Sequence, residues 1–348
     1  MSNEPLTAHA PVPAPHDPLP SAFRAWGVLV VQSFQRHWRV RQMGWVSVAL
    51  LGIVVLWVSV VTVRGGWDLA NQRARRSANT NAEEAERLTP GQRYRALDAD
   101  EMLLFRMHEV PNPLNPTEDA LASLLLSIPQ AAMRSEAFLK SWAFMTYSRW
   151  VVMLVFMGFI LPLFTLSYAS GAFGTDRESR SLVWLMTRPI PRSGIYLAKF
   201  LGTLPWCVAF GAGGFVAVCL AAGSIGHEAL LRYWPAVAMG TVAFSALFHL
   251  VGALFRRPVV VGLVYVFFFE TVVAALPGSL KLLSLTFYVR SLMYNEAVAA
   301  GHPGDMLPAI TAQAVSSETA WAVLTAAPVA ITLVGMWLFS RSEYRDDI

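Results

Sequence analysis

Two ionisable side chains, Glu270 and His249, stand inside otherwise apolar runs, and a charged stretch over 174–202 separates two further apolar runs. Their types and spacing could do chemistry. Glu270 follows Arg257 by thirteen residues, about 20 Å of helix, which places it deep in a hydrocarbon core roughly 30 Å thick. An acid at that depth is costly, so it reads either as a contact for a substrate or proton, or as an interhelical hydrogen-bonding group. His249 likewise reads as a ligand or as a hydrogen-bonded packer. Soft-ligand chemistry has less to stand on. Met153 and Met157 share a helical face and Met107 adjoins His108, but no dense Met or His array occurs. Ser167, Tyr168 and His249 lack the spacing of a hydrolytic site, and there is no His-Glu-x-x-His helix. A Gly-x-x-x-x-Gly-Lys-Ser/Thr loop is absent too, so this chain does not cradle nucleotide phosphates in the P-loop manner.

The charged stretch reads Gly174-Thr-Asp-Arg-Glu-Ser-Arg-Ser-Leu-Val-Trp-Leu-Met-Thr-Arg-Pro-Ile-Pro-Arg-Ser-Gly-Ile-Tyr-Leu-Ala-Lys-Phe-Leu-Gly202. Thr175 and Glu178 have capping-box spacing, which predicts a helix starting there. Asp176 and Glu178 set negative charge at its positive end, and Leu182, Leu185 and Met186 line one face. Pro189 cannot continue it, and Pro191 suits the first turn of the next helix, which re-enters the membrane through Lys199. The expectation is a short amphipathic helix presented to the cytoplasm. An ordinary interfacial connector would share its capping and its apolar face.

The elements that position these residues follow from composition. Of 348 residues, 55% are hydrophobic and 14% charged, against roughly 25% charged in a soluble domain, and mean hydropathy is +0.46. The charges cluster, leaving runs that meet the need of about 20 apolar residues per span. Six spans are expected, at 44–63, 150–171, 200–222, 233–255, 258–276 and 321–339. Before them, residues 1–20 form a Pro-rich disordered tail. Residues 21–42 form an amphipathic interfacial helix, with Ser21 as its cap and Phe23, Trp26, Val30, Phe34 and Trp38 at intervals of three and four. Cys207 and Cys219 lie about 18 Å apart along one helix and cannot bridge.

Basic residues set the orientation. With both termini inside, Arg36, Arg39, Arg41, Arg177, Arg180, Arg188, Arg192, Lys199, Arg256, Arg257, Arg341 and Arg345 are cytoplasmic, while short outer segments keep Arg232, Lys281 and Arg290. The net charge of +4 thus serves topology, and no basic stripe with interleaved aromatics points to nucleic acid. The linker over 64–149 becomes an extracytoplasmic helical domain, with Thr117 opening the stripe Leu121, Leu124, Leu125 and Ile128. Residues 172–199 form the cytosolic loop, 277–320 a second outer segment that dips toward the interface, and 340–348 a cytosolic tail.

The order acidic–Arg–Glu, Leu182, Leu185, Pro189, Arg192, Lys199 and Gly202 resembles the signature of ABC-2 type transporter permeases, in which Glu precedes Gly-Thr-Leu, then Leu-Leu, Pro, Arg and Lys-x-x-Gly. Arg180 and Ser181 depart from the usual Gly and Thr, and the linker after span one resembles members with an extracytoplasmic insertion. The resemblance implies an all-α membrane protein with a coupling helix in this loop, docked on a separate ATP-binding subunit by Asp176, Arg177, Glu178, Leu182, Leu185, Met186, Arg188, Pro189, Arg192 and Lys199. It also implies ATP and Mg on that partner with no cofactor on this chain, a homodimer or heterodimer of permeases, and residence in the bacterial inner membrane. The outer domain is then free to meet a periplasmic partner, and Glu270 and His249 remain candidates for an intramembrane polar site. The resemblance favours an exporter over a secondary transporter, a scaffold or an intramembrane hydrolase. A secondary transporter should also show inverted repeats and helices broken near the midplane, which this sequence does not display.

Overall fold

In lipid a backbone must satisfy its own hydrogen bonds, so the apolar runs of this chain have helix as their available form. The computed structural model describes residues 22–39, 41–68, 136–178, 190–272, 279–302 and 314–341, and among them there is no strand. Outside the described residues lie the Pro-rich tail, Ser21, most of the 64–149 linker with its Thr117 stripe, residues 179–189 of the cytosolic loop and the final tail.

Helix α1 (Ala22–Arg39) is followed by α2 (Arg41–Val63), which carries the first span, Gly44–Val63. Span two is one continuous helix in three parts: α3 (Glu136–Tyr147), a π-helical stretch π1 (Ser148–Ile160) and α4 (Leu161–Glu178). Its caps at Tyr147 and Leu161 keep right-handed helical backbone, so the chain changes winding without stopping. Span three is α5 (Arg192–Phe210) and α6 (Ala212–Ala221), joined at Gly211, and span four is α7 (Gly223–Leu254). Then come α8 (Pro258–Tyr265) with a π continuation to Val272, a 3-10 turn (Ser279–Leu283), α9 (Leu285–Ala299) and the last span, α10 (Ser317–Arg341).

Five described helices are long and apolar enough to cross a membrane, and the apolar helix Pro258–Glu270 is shorter. The fifth expected span, 258–276, is therefore the one that differs. Beyond it, α9 sinks into the bundle against α7 and α10, burying Leu285, Phe287, Val289, Leu292 and Met293. The segment expected at the outer interface thus contributes core. Its level follows from its ends. Leu285 meets Glu270, about 18 Å of helix above Pro258, whereas His302 meets Glu228, about 39 Å of helix above Leu254. Helix α9 thus fills the part of the bundle between the levels of Glu270 and Glu228.

Two apolar clusters hold the helices. The larger includes Phe144, Tyr147, Phe156, Phe215, Phe244, Phe248 and Phe287, and reaches Trp67 just past span one. The smaller, with Leu29, Phe173, Ile190, Ile195, Tyr196 and Phe339, joins α1 to one end of spans two, three and six.

Candidate functional site

The smaller cluster is the floor on which the 176–189 loop stands, because both stems of that loop grow out of it. One stem is the end of α4. Its helical backbone runs through Thr175, Asp176, Arg177 and Glu178, so Thr175 does not open a new helix as its capping-box spacing predicts. A cap requires non-helical backbone at Thr175, and extending a formed helix by one bonded turn is easier than nucleating another. The other stem starts at Ile190, which is buried, and Pro191, whose extended backbone (φ −60°, ψ 140°) caps α5 while its carbonyl accepts from the Ile195 amide at 3.1 Å. Arg192 opens the helix and is exposed. Leu182, Leu185, Met186, Arg188 and Pro189 lie outside the described residues.

Lys199 ties the stems together. It is buried, its Nζ donates to the Ala172 carbonyl at 2.9 Å, and it stands 4.6 Å over the Phe173 ring. An ammonium near the C-terminal end of α4 also meets the negative end of that helix's dipole. Gly202, one turn farther, explains its own identity. A Cβ there would stand 2.5 Å from Ser33 Cβ and 2.8 Å from the Val30 carbonyl, so α1 crosses α5 in direct backbone contact. Trp26 Nε1 donates to the Gly194 carbonyl at 2.9 Å and Trp206 Nε1 to the Phe34 carbonyl at 3.1 Å, fixing the crossing on both sides. The expected amphipathic stripe is split: Phe23 and Phe34 stay exposed, Trp26 and Val30 are partly buried against the bundle, and Leu29, outside the stripe, is buried there.

His249 lies beneath this floor. It is fully buried, with Nε2 3.3 Å from the Tyr196 carbonyl and ring centroids 4.7, 5.0 and 5.4 Å from those of Tyr196, Phe173 and Phe200. The geometry is that of a histidine packed among aromatic rings.

Glu270 meets a different set of partners. Both of its oxygens accept. Oε1 takes the Tyr265 hydroxyl at 2.7 Å and the Leu285 amide at 3.2 Å; Oε2 takes the Ser284 hydroxyl at 2.6 Å and the Thr286 amide at 2.9 Å. The carboxylate thus occupies the N-terminus of α9, where unsatisfied amides and the helix dipole favour an anion. Ser284, the N-cap, also accepts from the Phe287 amide at 3.2 Å. The sequence shows Glu270's depth; three of its four partners come from fourteen to sixteen residues later and the fourth, Tyr265, from five residues before.

Three charged positions counted as outer by the sequence reading also change setting. Arg290 lies within α9 with its NH2 on the Met153 carbonyl, Lys281 is buried 5.2 Å over the Phe287 ring, and Arg232 pairs with Glu228 at 2.9 Å. Glu228 also takes His302 at 3.1 Å, and the His302 ring stacks on Phe144 with centroids 4.3 Å apart. Apart from the i, i+4 pair Glu228–Arg232, no spacing signal marks these contacts, which join residues up to 137 positions apart. Among the described residues no group of three or more His, Cys, Asp or Glu is placed to hold a metal ion.

A family model described as ABC-2 family transporter protein matches residues 36–344, taking in every described helix from α2 onward. No curated protein matches the chain.

Proposed function

The chain belongs to the ABC-2 transporter family, and on that premise we propose that it is the permease of an exporter whose 176–189 loop receives the stroke of a separate ATPase. A membrane permease of an ABC transporter works with an ATP-binding subunit, and this chain carries no P-loop of its own. The observation that supports the loop as the point of entry is its mounting. One stem continues span two without a break, the other is the start of span three, and the Lys199 ammonium bonds the second to the first at 2.9 Å. A force applied between them is carried into both spans together.

In this reading Asp176, Arg177 and Glu178 extend span two to the ATPase, Leu182, Leu185 and Met186 dock there, and Arg188 and Arg192 fix the contact by charge. Two permease chains pair with two ATPases, each binding Mg and ATP. The 64–149 segment meets the substrate or a periplasmic partner on the other side. ATP drives the change only through unequal affinity of the ATPase for the two permease states, so the docked loop must differ between them.

The test is Glu178→Pro in the complete complex, reconstituted in lipid. Proline removes an amide and clashes with the preceding turn, at a cost of about 3 kcal/mol in a helix interior. ATP hydrolysis should persist while its dependence on the permease is lost. Unchanged stimulation of the ATPase by the Glu178→Pro permease would sink the assignment.

A further inference from the structure

Arg290 sits within α9, in the outer half of the bundle, and makes one hydrogen bond among the described residues. Its NH2 donates to the Met153 carbonyl at 3.0 Å, and its buried Nε has no partner. The acceptor belongs to π1, where carbonyls pair five residues on rather than four. For Met153 that fifth residue is Gly158, and a Cβ there would lie 3.6 Å from Arg290 NH2 and 3.7 Å from the Met153 carbonyl. The guanidinium therefore rests over a bare patch of unusually wound backbone.

As glue this is inefficient. A guanidinium offers five donors, and one bond to a neutral carbonyl, even with the Glu270 carboxylate acting on its charge from the start of α9, leaves most of them unanswered out of water. The rest of α9 is held elsewhere. Val289 packs opposite Gly240 of α7, Asn295 Nδ2 donates to the Val315 carbonyl and Ser317 Oγ beside α10, and Glu270 closes its N-terminus. The cytosolic half of span two is fixed as firmly, since a Cβ on Gly252 of α7 would lie 2.9 Å from the Ser170 backbone of α4. Between these two fastened parts lies π1, a winding defect of the kind at which helices bend.

We propose that π1 is the hinge of span two and that Arg290 is the latch that sets it. Bonded to Met153, Arg290 holds the outer half of span two against α9; released, it lets that half, with α3, tilt about π1 on the Tyr147–Val218 and Tyr233–Ser148 hydrogen bonds. This rests on the reading that ATP-driven movement enters span two at the 176–189 loop. Arg290 is a positioning residue in this account and touches no substrate.

The test uses the full chain with its ATP-binding subunit in lipid nanodiscs, with Cys207 and Cys219 replaced and spin labels at Lys140 of α3 and Val298 of α9, both exposed. Distances are measured with and without a non-hydrolysable ATP analogue. The native chain should show one population at rest and a second with nucleotide. Arg290→Met should populate the second without nucleotide, shifting the ratio about tenfold, equivalent to about 1.4 kcal/mol. Arg290→Lys should retain most of the resting population, and Gly158→Leu, which crowds the guanidinium off its carbonyl, should shift it as Arg290→Met does. Resting populations unchanged in both Arg290→Met and Gly158→Leu would overturn the latch. A native distance indifferent to nucleotide, with Arg290→Met still shifted, would uphold the latch and sink the loop-driven reading instead.

Discussion

A carboxylate can sit in an apolar bundle when a helix starts beside it, and Glu270 is housed this way by the Leu285 and Thr286 amides and the Ser284 and Tyr265 hydroxyls. Sequence alone left two roles open for it, a substrate contact or an interhelical bond, because depth can be counted from Arg257 whereas the donors cannot. The geometry gives it a structural task, and Glu270→Gln tests that task. Glutamine keeps one acceptor oxygen and turns two hydrogens toward groups that already donate. Hydrogen bonds to charged groups contribute about 1.5–3 kcal/mol each, so the variant should unfold several degrees lower in a detergent-solubilised thermal melt. An unchanged melt with altered transport would return Glu270 to the role of substrate contact. His249 was legible in the same limited way. Its place in an apolar run implied burial, but the three aromatic rings around it come from Phe173, Tyr196 and Phe200 on spans two and three.

Among the elements, the long spans were legible because twenty apolar residues have one stable form in lipid, and five of the expected spans lie within described helices to within one residue at an end. Helix α9 was not legible. Its fifteen residues include Arg290, Asn295 and Glu296, a mixture that reads as surface, and it is too short to cross a bilayer. It is buried because partners on spans two and four and beside the last span take up its Arg290 and Asn295 and the His302 that follows it. The helix start at Thr175 failed for a related reason: local capping spacing lost to the cooperativity of a helix already formed. The crossing of α1 over α5 is the element that most directly steadies the loop. Gly202→Leu should break it, since a side chain there meets Ser33 and the Val30 carbonyl. Overpacking of this kind costs about 1–3 kcal/mol, set against the Trp26 and Trp206 hydrogen bonds that also hold α1 to α5. The expected readout is faster maleimide labelling of a cysteine placed at Ser33 in the Gly202→Leu chain than in the native one. Equal labelling rates would mean that α1 yields without leaving α5.

At the scale of the whole molecule, the bundle has two ends of different character, and the orientation proposed from its basic residues ties each to a side of the membrane. One end carries the loop stems, the exposed Arg192 and the exposed turn at Arg256 and Arg257 between α7 and α8. The other carries Glu228, Arg232 and His302, with the exposed His227 beside them. Because α7 runs unbroken from Gly223 to Leu254, about 47 Å, these two ends cannot lie on the same face of a bilayer. The positive-inside rule assigns the Arg256 end to the cytoplasm, and the assignment carries the mechanism with it, since an ATPase can reach the 176–189 loop only from there. The native thiols Cys207 and Cys219 are buried, so the unmodified chain is a quiet background for thiol labelling. In intact spheroplasts a membrane-impermeant maleimide should label His227→Cys and leave Arg256→Cys untouched, and permeabilisation should make both react. The reverse pattern would place the loop outside, where no ATP is available, and with it would fall the proposal that this loop is driven by an ATPase.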